Sequence, residues 1–120
     1  MALSIGDTFK DDHLWVFLNN PTIPDDMIVC VNLTSEWHDE SCVLYPSKFQ
    51  AHPDLKHPSY IRYDRARFGK AAAVEPLIAK IRRPRLDLAA VKQIQAGAMK
   101  TKYLKNPRII RPVIEAALLP

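Results

Sequence analysis

Two short apolar runs near the start of the chain restrict its fold more than any other feature. Residues 13–18 read His-Leu-Trp-Val-Phe-Leu and residues 27–33 read Met-Ile-Val-Cys-Val-Asn-Leu. Both are rich in β-branched and aromatic side chains, the signature of strands. Between them lies Asn-Asn-Pro-Thr-Ile-Pro-Asp-Asp, residues 19–26, whose Asn, Pro and Asp favour turns, so the two strands are joined by an exposed loop. A shorter run, Ser-Cys-Val-Leu at 41–44, follows the polar residues 36–40. Residues 59–64, Ser-Tyr-Ile-Arg-Tyr-Asp, then alternate apolar and polar with the period of a half-buried strand. Five or so short strands in seventy residues suggest a small, curved antiparallel sheet or barrel.

After Phe68 and Gly69, Ala, Leu, Lys and Arg replace the β-branched residues, and helices are expected. The chain therefore reads as α+β: one domain over residues 1–120, with a β body at about 3–70 and a basic extension at 71–120 carrying two or three helices. Leu88, Val91, Ile94 and Ala98 recur at helical spacing, Asp87 suits an N-cap and Gly97 lies near the end, which predicts a helix over 88 to about 98. A last helix should begin near Asn106 and Pro107, with Asn as the cap and Pro in the first turn. Its stripe would be Ile109, Ile110, Val113, Ile114, Ala117 and Leu118. Pro112 removes a donor and crowds the preceding turn, so either the helix kinks there or its regular part starts there. Arg82, Arg83, Pro84 and Arg85 read as a basic linker or short turn rather than a domain boundary.

A chain of 120 residues, 48% of them hydrophobic, can bury roughly two-thirds of its unfolded surface. That makes a real core, but not one that encloses a dinucleotide, so function belongs to a surface, a cleft or an oligomer interface. With 3 Gly there is no phosphate-cradling loop, no Gly-x-Ser-x-Gly elbow, no Cys-x-x-Cys and no His-Glu-x-x-His. No stretch approaches the roughly 18 to 20 apolar residues of a membrane span. Residues 1–10 lack the basic start and apolar block of a signal peptide, so a cytoplasmic protein without membrane contact is expected. In that compartment Cys30 and Cys42 are expected as free, buried thiols. His13, His38, His52 and His57, with Cys42, match no standard zinc spacing, and neither a metal nor another cofactor is expected.

The net charge of +4 conceals an asymmetry. Residues 1–60 carry 3 Lys plus Arg against 9 Asp plus Glu, whereas residues 61–120 carry 14 against 4. A basic half can attract a polyanion, since each neutralised phosphate releases counterions, or it can lie on the acidic half of its own chain. Residue counts leave both readings open. The segment 57–68, His-Pro-Ser-Tyr-Ile-Arg-Tyr-Asp-Arg-Ala-Arg-Phe, interleaves three arginines with two tyrosines. Strict alternation would put Arg62 and Asp64 on one face and Tyr63 and Arg65 on the other, offering guanidinium forks for phosphate and aromatic faces for bases. The competing reading packs the tyrosines in the core and pairs the arginines with acids. Likewise Thr34 and Ser35, at a strand end, either orient a phosphate or build a turn.

Taken in order, Gly6-Asp7, residues 13–21, residues 27–35 ending in Thr-Ser, and residues 57–67 leading into the arginines resemble the MazF/PemK-type toxins of toxin–antitoxin systems. The likeness covers about residues 5–68. It implies an SH3-like antiparallel barrel, a homodimer, an antitoxin protein as partner, and metal-independent endoribonuclease activity on single-stranded RNA. Thr34 and Ser35 match the family's strand-end pair, whereas His13 stands where the family has its catalytic arginine. In that chemistry the 2′-hydroxyl attacks phosphorus, requiring a base, an acid and a cation. The resemblance thus implies a catalytic set of His13, Thr34, Ser35 and Arg65, with Arg62, Tyr63, Arg67 and His57 binding RNA. The departure at His13 is equally compatible with a barrel that binds nucleic acid or a protein and cleaves nothing.

Overall fold

The computed structural model describes residues 2–36, 39–46 and 52–120. It contains six strands, β1 (Thr8–Lys10), β2 (Leu14–Phe17), β3 (Met27–Thr34), β4 (Val43–Leu44), β5 (Ser59–Lys70) and β6 (Arg82–Arg83), and three helices, α1 (Ala71–Ile78), α2 (Leu88–Lys100) and α3 (Pro107–Ala116). All strands join one antiparallel sheet in the order β4-β5-β3-β2-β1-β6. The architecture is α+β.

The two apolar runs become β2 and β3, the central pair, and the reason is burial on both faces. All of β2 and the six central residues of β3 are buried. On one face Trp15, Phe17, Ile28 and Cys30 pack with Phe9 and, from α1, Ala71 and Ile78. On the other, Val16, Val29, Val31 and Leu33 pack with Ile61, Tyr63 and the apolar faces of α2 and α3, including Ile94, Ile110 and Ile114. Each such side chain contributes roughly 1.5–3 kcal/mol of transfer free energy. Strands covered twice read as near-continuous apolar runs instead of alternating ones.

The sheet is curled, as a half-barrel. Residues 52–54, ahead of β5, reach its opposite end, where the Thr8 hydroxyl of β1 lies 3.2 Å from His52 Nε2 and Arg83 of β6 is paired with Asp54 at 2.7 Å. Residues 82 and 83 are therefore a strand and not the expected linker. Their two backbone pairings to β1, with the Arg82–Asp7 and Arg83–Asp54 bridges, place part of the basic half on the acidic half.

β5 carries the largest departure from the expected pattern. Cys30 pairs with Arg67 and Asn32 with Arg62, so four β5 residues, 63–66, lie opposite the single residue Val31. This bulge breaks the period-two alternation. Up to Tyr63 the alternation holds, since Ser59, Ile61 and Tyr63 are buried in turn, and it carries Tyr63 into the core under α2, with its hydroxyl donating to the Ile94 carbonyl at 2.8 Å. Tyr63 cannot stack a base there. Arg65 instead comes to the same side as Arg62.

Helices α2 and α3 begin where sequence places them, and of the two only α2 has the expected side-chain cap. In α2 the Asp87 carboxylate accepts from Ala89 N–H at 3.0 Å, as expected. Gly97 does not end the helix, which continues to Lys100. It lets α2 approach β5 and the 41–42 segment, since a Cβ there would overlap the Tyr63 hydroxyl and lie 2.9 Å from both Cys42 Cβ and the Ser41 carbonyl oxygen. In α1 the first N–H groups are taken by Asp26 from the β2–β3 loop, through its carbonyl to Ala71 at 2.8 Å and its carboxylate to Ala72 at 2.9 Å. Asn106 precedes α3 in a left-handed conformation and makes no side-chain cap. The helix runs through Pro112, which like Arg108 is exposed. Ile110 and Ile114 are its buried ridge, while Ile109 and Leu118, expected on the same stripe, are exposed. Among the described residues no helix is long and apolar enough to cross a membrane.

Candidate functional site

A cleft of about 430 Å³ opens at the end of the sheet where β2 starts, β3 ends and β5 starts. Local structure aims each wall into it. At the β1–β2 turn, Asp11 Oδ1 accepts from the His13 N–H at 2.9 Å and from the Trp15 indole N–H at 3.0 Å, holding His13 at the mouth of β2. At the end of β3, Thr34 Oγ1 accepts from the Glu36 N–H at 3.2 Å. Thr34 thus builds the turn and still lines the cleft beside Ser35. The 52–57 segment supplies Lys56 and His57, and β5 supplies Arg62 and Arg65.

Six of the eight residues singled out from sequence therefore line one cleft: His13, Thr34, Ser35, His57, Arg62 and Arg65. The other two lie elsewhere. Tyr63 is in the core for the reason given, and Arg67 is on the sheet face next to the cleft, its guanidinium 4.4 Å above the Trp15 ring. The sequence reading missed Lys10, Lys56, Asp12, Glu36 and Asp54, which also line the cleft. A signal for the lysines was present: the acidic half holds only Lys10, Lys48 and Lys56 as cations, and two of these three sit here.

The charges are not equivalent. Arg62 forms a two-pronged bridge to Asp64, Nε to Oδ1 at 2.9 Å and Nη2 to Oδ2 at 2.8 Å. Asp54 is held by Arg83 Nε at 2.7 Å and Nη2 at 3.1 Å, and that pairing keeps its carboxyl below the usual carboxylate range. Arg65 is exposed and, among the described residues, has neither an ion pair nor a hydrogen bond. A free guanidinium fork suits a phosphate.

The wall carrying Lys56 and His57 is clipped in place by a neutral histidine. The Thr8 hydroxyl donates to the Pro84 carbonyl at 2.7 Å, so it accepts from His52 Nε2–H, while His52 Nδ1 accepts from the Asp54 N–H at 3.0 Å. Both ring nitrogens are satisfied only in the neutral form. Burial lowers the His52 pKa, opposed by Asp54 and reinforced by Arg83 and Lys10. Cys30 and Cys42 are free and buried, and burial pushes their thiols up to about 12 and about 11. They are inert packing residues.

Imidazoles able to move a proton, hydroxyls able to orient an anion and a free guanidinium together equip this cleft for chemistry on a phosphate ester. Comparison with protein-family models, with curated proteins and with solved structures gave no match.

Proposed function

We propose that the cleft binds the backbone of single-stranded RNA and cleaves it by attack of a 2′-hydroxyl on the adjacent phosphorus. The observation that carries this reading is the convergence of His13, Thr34, His57 and Arg65, drawn from four separate segments, on one cleft. One imidazole takes the 2′-hydroxyl proton as the new O2′–P bond forms. The other protonates the 5′-oxygen as its bond to phosphorus breaks, leaving a 2′,3′-cyclic phosphate and a 5′-hydroxyl. Arg65 stabilises the charge gathering on the phosphorane, and the Thr34 hydroxyl hydrogen, not used in its turn, orients a phosphate oxygen. Lys10 and Lys56 attract the flanking phosphates. Together with the resemblance of residues 5–68, this supports a MazF/PemK-like toxin: an SH3-like barrel acting as a homodimeric endoribonuclease and inhibited by an antitoxin protein.

The test is to incubate the purified chain with mixed-sequence single-stranded RNA in EDTA, beside His13→Ala. Products ending in cyclic phosphate are expected from the wild type, with a loss of about 10²–10⁴-fold in the variant. Wild-type cleavage by His13→Ala would remove His13 from the mechanism. Salt-sensitive RNA binding without product would instead establish a non-catalytic binding barrel.

A further inference from the structure

Arg67 and Arg65 are two residues apart and both exposed, yet their surroundings differ in kind. Arg65 has no ion pair or hydrogen bond among the described residues, whereas Arg67 sits 4.4 Å above the ring of Trp15. The indole beneath it is rigid. Trp15 is only 3% exposed, lies parallel to Phe9 with ring planes 1° apart, and has its N–H tied to Asp11. Burial raises the Asp11 pKa, but the His13 N–H, the indole N–H and the Arg67 charge together hold it below its ordinary value. A carboxylate beside Arg67 offsets its attraction for a phosphate. What the arrangement leaves is a planar cation lying over an aromatic ring.

Its position relative to the cleft follows from the sheet register. Trp15 pairs with Asn32, which pairs with Arg62, a cleft residue. Thr34 is two residues further toward the sheet end on the same face, about 7 Å away at the usual strand rise, and His13 stands just before β2 at that end. A chain whose phosphate meets Thr34 and Arg65 therefore passes Arg67 with its neighbouring base.

We propose that Arg67, seated on the Trp15 ring, is a stacking platform for one nucleobase of the single-stranded nucleic acid whose phosphate occupies the cleft. The guanidinium plane takes the base on its outer side and the indole on its inner side, the geometry by which arginine reads unpaired bases. This takes over the role that sequence assigned to the buried Tyr63. The inference rests on the phosphate-binding reading of the cleft, and the experiment separates the two.

The affinity of the full-length protein is measured for three probes: a 2′-O-methyl tetranucleotide, which cannot react through its 2′-oxygen, the same backbone with abasic sites, and inorganic tripolyphosphate. Each is measured with the wild type and with Arg67→Lys, which keeps the charge and loses the plane. The wild type is expected to prefer the base-bearing probe by about fivefold to a hundredfold, the range of one stacked base. Arg67→Lys is expected to lose most of that preference while binding tripolyphosphate within twofold of the wild type. Equal preference in both proteins overturns the proposal, as does a parallel loss on all three probes, which would make Arg67 a plain phosphate cation. Tripolyphosphate binding with no preference for bases overturns the platform and leaves the phosphate cleft standing. Binding of none of the probes by folded wild type overturns both.

Discussion

Replacing Gly97 with alanine should destabilise this protein, although the same change in an ordinary helix stabilises it. Alanine in a helix interior is favoured over glycine by roughly 0.8–1.0 kcal/mol. Here the new Cβ would overlap the Tyr63 hydroxyl and stand 2.9 Å from Cys42 Cβ and from the Ser41 carbonyl oxygen. Tyr63 is fully buried and cannot swing away. Overpacking costs about 1–3 kcal/mol, and displacing the hydroxyl from the Ile94 carbonyl at 2.8 Å adds about 1–3 kcal/mol for a buried group left unsatisfied. After subtracting the propensity gain, the net loss is about 1–5 kcal/mol. At about 4 °C per kcal/mol for a chain of this size, Tm should fall by about 4–20 °C in a thermal melt followed by circular dichroism. Tyr63→Phe removes the atom that Cβ meets first. In a double-mutant cycle, Gly97→Ala with Tyr63→Phe should be more stable than the sum of the singles by at least about 1 kcal/mol. An unchanged or raised Tm for Gly97→Ala would refute the close approach of α2 to β5.

Asp26→Ala should cost about 0.5–2 kcal/mol in urea unfolding by uncapping α1, the range for a lost N-cap, with Asp26→Asn recovering most of it. No loss on Asp26→Ala would mean that Asp26 does not cap α1. Because the folded-state pKa of His52 lies below its unfolded value of 6.5, the unfolded chain binds more protons in that window. Stability should therefore be full above pH 6.5 and fall as the pH drops toward the folded pKa. His52→Asn retains an acceptor for the Asp54 N–H and should flatten the urea midpoint between pH 7.5 and 5.5, whereas identical slopes in both proteins would exclude His52 as the source. Asp54 adds a separate loss below pH 3.8 for the opposite kind of group, a carboxylate whose pKa is lowered by Arg83.

Much of the scaffold was legible in local pattern. The runs at 13–18 and 27–33 are the central strands, Asp87 caps α2, and α3 begins at Pro107. Six of the eight candidate residues line one cleft, because a strand end, a turn and an arginine-rich strand each concentrate polar side chains at one end of a sheet. Long-range partners set the remainder. Nothing in Arg82-Arg83 marks a strand. They form one because the edge of β1 presents unpaired backbone groups, with Asp7 and Asp54 flanking them.

Sequence by itself determined the central strands, the helices α2 and α3 and the opposition of an acidic and a basic half, because periodicity and charge are properties of neighbours along the chain. Tyr63 follows the alternation of Ser59 and Ile61 into the core, and only the tertiary structure decided where Arg65 and Arg67 would point. A bulge opposite Val31 overrides alternation, and its position depends on how β3 and β5, some thirty residues apart, fit together beneath α2. The same packing turned Gly97 from a helix end into a contact and gave α1 a cap from another loop. Contacts between distant segments have no local signature, and at this site they separate a free arginine from one laid on a tryptophan.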